Sequence, residues 1–272
     1  MFVNSRRPCM VWNKHQGLGL TSLKEFWCKK DLWTQFSDSS LFVLKTPIVY
    51  ILLLVYVDDI IITGPNLSHI KDLIFELDSV FSLKDLGDLH FFLGVEVTRE
   101  ATGMYLTQQK YIRDLLIKTK MEGAKGISSP MSSGKQLSIN DGDVLDTPEL
   151  YRSTIGALQY LTITRPEIAF AVNKLSQFVH SPSTTNWEAC KHLLRYLKNT
   201  IQHGLHLKAS NKLVFHGFAD SDWANNPDDR RSTSGYCVFF GPNLISWSSK
   251  KQQVVARSST KVEYRALAHI TA

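Results

Sequence analysis

Ten consecutive apolar residues, IVYILLLVYV at positions 48–57, run straight into two carboxylates, Asp58 and Asp59, and out again through IIIT (60–63) to Gly64-Pro65. Such a run is too short to span a bilayer, which takes about 20 residues. Aliphatic and β-branched side chains without a polar stripe mark a strand buried on both faces. The apolar return run makes a hairpin with two acids at its tip. Adjacent carboxylates repel one another, so a chain keeps them where the turn is solvated or where a cation sits. Hard oxygen donors suit Mg²⁺, which binds one or two carboxylates plus substrate phosphates. That is the arrangement of metal-assisted phosphoryl transfer. Taken bare, Asp-Asp is more simply a good turn.

The rest of the chain falls into elements around this hairpin. LFVL (41–44) reads as a strand. Asn66 or Ser68 caps a helix running to about residue 81, with Ile70, Leu73, Ile74 and Leu77 on one face. HFFLGVEVTRE (90–100) and GMYLTQ (103–108) form a second hairpin around Ala101-Thr102-Gly103. A short amphipathic helix follows to Lys120. Residues 121–147 are rich in Gly, Ser and Asp and poor in large apolar groups, the composition of a linker. Helices are expected from Pro148, from Pro166 and from Ser183 or Thr184. KLVFHGFAD (212–220), SGYCVFFG (234–241) and NLISWSSKKQ (243–252) read as an antiparallel meander, and Ser258–Ile270 as a helix. Residues 1–36 show no clean period.

Four cysteines without a CxxC pair argue against a disulfide framework and for a reducing compartment. Cys190 and His192, two apart on a helix, point away from one another and cannot share a zinc ion. No apolar leader follows the N-terminus, so an intracellular protein without a membrane partner is expected. The net charge of +6 is uneven: residues 191–272 carry 12 basic and 5 acidic side chains, whereas residues 37–190 carry 13 and 18. A basic C-terminal third suits a polyanion such as nucleic acid, although an ordinary solvated basic face explains it as simply. In the same third, Asp220 ends a strand on which Val214, His216 and Phe218 share its face by alternation. Asp222 follows. Glu263 sits in the last helix, where Thr260-x-x-Glu263 reads as a capping box with Glu at the third helical position.

These segments resemble the copia-type retrotransposon polyprotein from about Ser37 to the end of the chain. The resemblance rests on DSSLFVLKT, LLVYVDDIIITG, FSLKDLGDLHFFLGVEV, YRSTIGALQYLTITRPEIAFAVNKLSQF, ADSDWA, RRSTSGYCVF and ISWSSKKQQVVARSSTKVEYRALA, which occur in the family order. It implies an α+β chain: a partial reverse-transcriptase palm with a thumb-like hairpin and helix (37–122), a linker (123–147), a helical connection (148–204), and the N-terminal half of a ribonuclease H-like domain (205–272), an incomplete sheet with one helix. Residues 1–36 form a divergent N-terminal segment. The implied activities are RNA-directed DNA synthesis and cleavage of the RNA in the hybrid, with Mg²⁺ as the cofactor and no small-molecule cofactor. The implied catalytic and metal-binding residues are Asp58 with its companion Asp59, and Asp220 with Glu263. The implied partner is a primer–template or RNA–DNA hybrid, met by Tyr56 in the polymerase part and by Arg230, Arg231, Lys250, Lys251 and Arg257 as phosphate-positioning charges.

The chain departs from the family pattern in three places. No strand upstream of YVDD carries the family's other metal-binding Asp, since Asp31 and Asp38 lie in the wrong context. The further Asp residues of ribonuclease H do not occur after Glu263, so the polyprotein is expected to be truncated at both ends. Lys261 stands where the family has an acid, and a cation in the first helical turn opposes the dipole. Both metal sites are therefore expected to be half sites, and the chain to be inactive by itself. The alternative is a residual, sequence-independent nucleic-acid-binding protein.

Overall fold

The apolar run after Pro47 can satisfy its backbone only by pairing on both sides, and it does. A computed structural model describes residues 9–14, 32–35, 38–57, 59–81, 83–132, 134 and 136–272, with side chains from Ser40 onward except those of residues 81 and 83–85. The run forms β4 (Tyr50–Tyr56), flanked by β3 (Asp38–Lys45) and β5 (Asp59–Thr63). With β1 (Cys9–Lys14), β2 (Leu32–Gln35) and β6 (Leu83–Asp88) these make a sheet in the order β2-β3-β4-β5-β1-β6. Two of its strands thus come from the unreadable N-terminal segment. Helix α1 (Leu67–Phe81) carries Ile70, Leu73, Ile74 and Leu77 onto Ile51, Leu53, Val55, Ile60 and Ile62. Asn66 starts it, its Oδ1 accepting from the Ser68 N–H at 2.9 Å. Burial on both faces of β4 is not what forms. Ile51, Leu53 and Val55 are buried against the helix, while Tyr50, Leu52 and Leu54 on the other face are half-buried. This first unit ends at β7 (Phe91–Phe92), and a second compact unit runs from Leu93 to Ala272.

In the second unit β8 (Val95–Glu100) and β9 (Gly103–Thr107) form the expected hairpin. Gly103 is less a turn residue than a contact residue. A Cβ there would sit 2.1 Å from the Leu207 carbonyl oxygen, because β10 (Leu205–Lys208) pairs along β9. Helices α2 (Gln109–Lys118), α3 (Pro148–Leu161), α4 (Ala169–Ser176) and α5 (Thr184–Asn199) share one core, including Ile112, Leu116, Ile155, Leu158, Val172, Leu175 and Leu193. A single 3₁₀ turn (Pro166–Ile168) leads into α4. Ser183 and Asn186 cap α5 reciprocally, the Ser183 Oγ accepting from the Asn186 N–H and the Asn186 Oδ1 from the Ser183 N–H.

The 123–147 stretch, expected as a linker, lies inside this unit and is packed. Leu137 is buried in the helical core, and Ser138 and Ile139 donate to the Asp228 carboxylate. β11 (Phe215–Ser221), β12 (Thr233–Phe240) and β13 (Asn243–Lys251) form the expected meander in that order, with α6 (Ser259–Thr271) across β11 and β12. The cap of α6 differs from expectation. Ser258, not Thr260, is the cap, its Oγ accepting from the Lys261 N–H at 3.4 Å. Lys261 takes the third helical position and Glu263 the fifth, so Glu263 cannot close a capping box. Among the described residues no helix is long and apolar enough to cross a membrane.

Candidate active site

The first carboxylate pair sits where β4 turns into β5. The strands close on the pair Tyr56 and Asp59, with Val57 the described residue between them. Asp59 is therefore the first residue of a strand rather than part of the turn. Asp58 itself lies outside the described residues. Val57 has φ +51°, a left-handed conformation that a β-branched side chain rarely adopts. Such strain persists only where the surroundings impose it, and two-residue hairpin turns do require positive φ. By alternation Asp59 shares the face of Ile61 and Thr63, away from the α1-packed core. β1 runs on its other side, with Asn13 at the register position opposite Asp59. Tyr56, half-exposed, meets the Phe92 ring edge-on at 6.4 Å.

The second set is spread over two faces of the β11–β13 sheet. Asp220 pairs with Gly235 and shares the side of Phe218 and Cys237. There it lines a groove of about 590 Å³ with Phe170, Phe218 and Trp247. Ser221 faces the other way. Its Oγ meets the Gln252 amide, which also donates to Ser234 Oγ and to the Val262 carbonyl of α6. Gly217 lies on that same side, where a Cβ would meet the tip of Ile270 at 2.6 Å. Glu263 belongs to the helix on this side and Asp220 to the opposite face. Asp222 is occupied structurally: its Oδ1 accepts from the Thr233 N–H at 2.6 Å and its Oδ2 from the Asn225 amide. Among the described residues no three of His, Cys, Asp or Glu are grouped so as to hold a metal ion. The donors among the described residues are right in kind for Mg²⁺ and fewer than a two-ion centre takes.

The basic residues divide as well. Lys251 pairs with Asp229 at 2.8 Å and Arg231 with the same carboxylate at 3.6 Å. Burial works to raise the Asp229 carboxyl, but the Lys251 hydrogen bond, the Arg231 backbone N–H and the two positive charges outweigh it and hold the group below the usual carboxylate range. Arg230 (φ +57°), Lys250 and Arg257 are exposed. Lys174 of α4 faces this loop and carried no sequence signal. Burial and then repulsion from Lys251 lower its ammonium, against the pull of Asp222, Asp228 and Asp229. Burial also pushes the Cys190 thiol up to about 12 and leaves it inert.

Residues 11–133, which contain the carboxylate hairpin, match the family described as reverse transcriptase (RNA-dependent DNA polymerase). Over 233 residues, 86% of its length, the chain is 48% identical to the retrovirus-related Pol polyprotein from transposon RE1 of Arabidopsis thaliana, and 47% identical to that from transposon RE2. The chain belongs to the copia-type retrotransposon Pol polyproteins. It spans 16% of the length of the RE1 and RE2 polyproteins. This copia-type chain is also 46% identical, over 216 residues, to an uncharacterized mitochondrial protein of the same plant, covering 79% of the chain and 90% of that protein.

Proposed function

We propose that this chain is the polymerase-to-ribonuclease H stretch of an RNA-directed DNA polymerase. Residues 37–122 supply the palm and a thumb-like hairpin and helix, 148–204 the connection, and 205–272 the beginning of a ribonuclease H-like domain. Its partner is a primer–template or RNA–DNA hybrid. Tyr56 lies beside the polymerase carboxylates, and Arg230, Lys250 and Arg257 are the exposed cations free to meet a phosphate backbone. The observation that supports this most is the hairpin: Tyr56 and Asp59 close a two-residue turn inside a six-stranded sheet, within the stretch matched by the reverse transcriptase family.

Asp58 and Asp59 at the hairpin, and Asp220 in the second set, are the carboxylates that would hold Mg²⁺; Glu263, on the helix across the sheet from Asp220, does not share an ion with it. When bound, such ions activate the attacking oxygen and stabilise the leaving one. One or two carboxylates at a site are too few for that arrangement, and losing a charged ligand removes most metal affinity. Residues 1–272 alone are therefore inactive, and further donors must come from elsewhere in the polyprotein.

Primer extension by the purified chain in Mg²⁺ or Mn²⁺ tests the deficit. No extension above background is expected. Extension abolished by Asp58→Asn would overturn the deficit and keep the polymerase assignment. Binding to an RNA–DNA hybrid tests the assignment itself. It should weaken steeply with salt through counterion release, and its absence at low salt would count against the whole reading.

A further inference from the structure

A cavity of about 290 Å³ opens between β12, β13 and α6, on the side of the sheet away from Asp220. Lys250, Arg265 and His269 line it together with the backbone of Lys251, and no carboxylate does; alternation along β13 turns the Lys251 side chain to the other face of the sheet. Lys251 is already neutralised by Asp229. Arg265 uses only Nη1, toward the Gln252 Oε1 at 3.3 Å and the Val254 carbonyl at 3.5 Å. Its Nε and Nη2 have no hydrogen-bond partner among the described residues. Nor do the Lys250 ammonium, the His269 ring, or the hydroxyls of Tyr236 and Ser248, which line the same space. Donors from three separate elements thus border one concavity, and apart from the two Arg265 Nη1 contacts they have no acceptor among the described residues.

That arrangement is costly unless something negative enters it. Like charges brought together repel, and solvent only partly screens them. A guanidinium with two free N–H groups matches two oxygens of one tetrahedral anion, and an ammonium and two hydroxyls can take the rest. The volume exceeds that of a bare anion. Val254 and Ala266 on the wall leave room for a carbon skeleton attached to it.

We propose that this cavity is a phosphate-binding site for a phosphomonoester or a backbone phosphodiester. It depends on no metal ion and on neither carboxylate pair, so it stands or falls separately from the polymerase assignment. Arg265 provides the fork and Lys250 the second charge, with Tyr236, Ser248 and His269 completing the ring of donors. The site is distinct from a diffuse basic surface, because its affinity is carried by geometry as well as charge.

The test is a titration of the full chain with sodium phosphate at constant ionic strength, followed by amide NMR and calorimetry, with sodium chloride as the control. Shifts confined to residues 234–236, 248–254 and 265–269 are expected. Arg265→Gln and Lys250→Gln should each weaken phosphate binding about tenfold or more, the loss of one charge-assisted contact. Lys250 is an exposed strand residue, so its variant keeps the fold even if loss of the Arg265–Gln252 contact loosens α6. Displacement of bound phosphate by a short RNA–DNA hybrid, with the same two variants impaired, assigns the site to backbone phosphodiesters. Displacement by a nucleoside monophosphate but not by the hybrid assigns it to free phosphomonoesters. No shift at 10 mM phosphate (roughly a −2.7 kcal/mol interaction by the usual affinity scale), chloride acting as well as phosphate, or binding that survives both variants would overturn the proposal.

Discussion

Among the described residues Arg165 is the bulkiest fully buried side chain, and every polar atom it buries has a destination. Nε meets the Glu167 Oε1 at 2.6 Å, Nη1 the Thr200 carbonyl at 3.0 Å, and Nη2 the Thr200 Oγ1 at 2.6 Å, beneath the Tyr196 ring. It thereby ties the start of the 3₁₀ turn to the end of α5. Arg165→Met should lower stability by about 2–3 kcal/mol, read from urea midpoints, because it removes three charge-assisted hydrogen bonds and takes the cation away from the Glu167 carboxylate. Arg165→Lys should recover only part, since one ammonium cannot reproduce the fork. At the hairpin the sign reverses. Val57→Gly relieves the positive φ and should raise the urea midpoint, by about 1 kcal/mol or less after the glycine entropy is set against it. Asp229 predicts a pH effect. Its folded carboxyl lies below the unfolded value of about 3.9, so its contribution is complete above that value and lost as pH falls through the folded one. Urea midpoints of wild type and Asp229→Asn should differ at pH 7 and draw together as pH falls below the unfolded value. None of these roles was legible from the chain alone. Arg165 stands before Pro166 and Asp229 beside Asp228, and neither pattern announces its role, because what decides it is burial and long-range partners.

Whole elements were legible where one face had to be apolar. The helices at 67–81, 148–161 and 184–199 and the hairpins at 50–63 and 95–107 follow from periodicity and turn residues, which act locally. β6 and β10 were missed for the opposite reason. LKDLGD carries two acids and a glycine, and LHLK is four residues long, so neither shows a buried face. Pairing with β1 and β9 makes them strands, and His206 stacks on Tyr105 at 3.9 Å across the second pair. The carboxylate motifs were legible through their resemblance, whereas the cationic cavity was not, since its donors come from three elements that only folding brings together. Of the elements, β11 invites the clearest experiment. It is an edge of its sheet, and Val214, Phe215 and Phe218 are more than half exposed. Residues 213–219 carry no Asp, Glu, Lys, Arg or Pro to guard that edge. Phe218→Lys should raise the concentration at which light scattering begins, by severalfold, with little change in melting temperature. Unchanged scattering would show that the edge is not where the chain self-associates.

At the scale of the whole molecule, the stretch from 93 to 272 holds together through connections that the sequence disguises as spacers. Residues 123–147 read as a linker because they lack large apolar side chains. Yet Arg195 donates to the Lys125 carbonyl at 2.7 Å, Lys198 to the Ala124 carbonyl at 2.7 Å, and Leu145 to the Pro182 carbonyl at 3.0 Å. Farther along, Gln136 reaches Asn225 and Ser138 reaches Asp228, which ties the same stretch to the loop between β11 and β12. β10 adds a second tie, pairing with β9 while its Lys208 backbone exchanges hydrogen bonds with the Asn243 side chain at the start of β13. Backbone groups bound in this way must be released together. The segment 93–272 made alone should therefore unfold in a single transition by both near- and far-ultraviolet circular dichroism. A segment starting at Pro148 loses the strand that pairs β10, the whole of α2 and the buried Leu137. It should lack cooperative unfolding, with near-ultraviolet signal absent although helical signal remains. Equal cooperativity in the two segments would mean that 123–147 is a spacer after all, and that the hydrogen bonds crossing it contribute nothing to the fold.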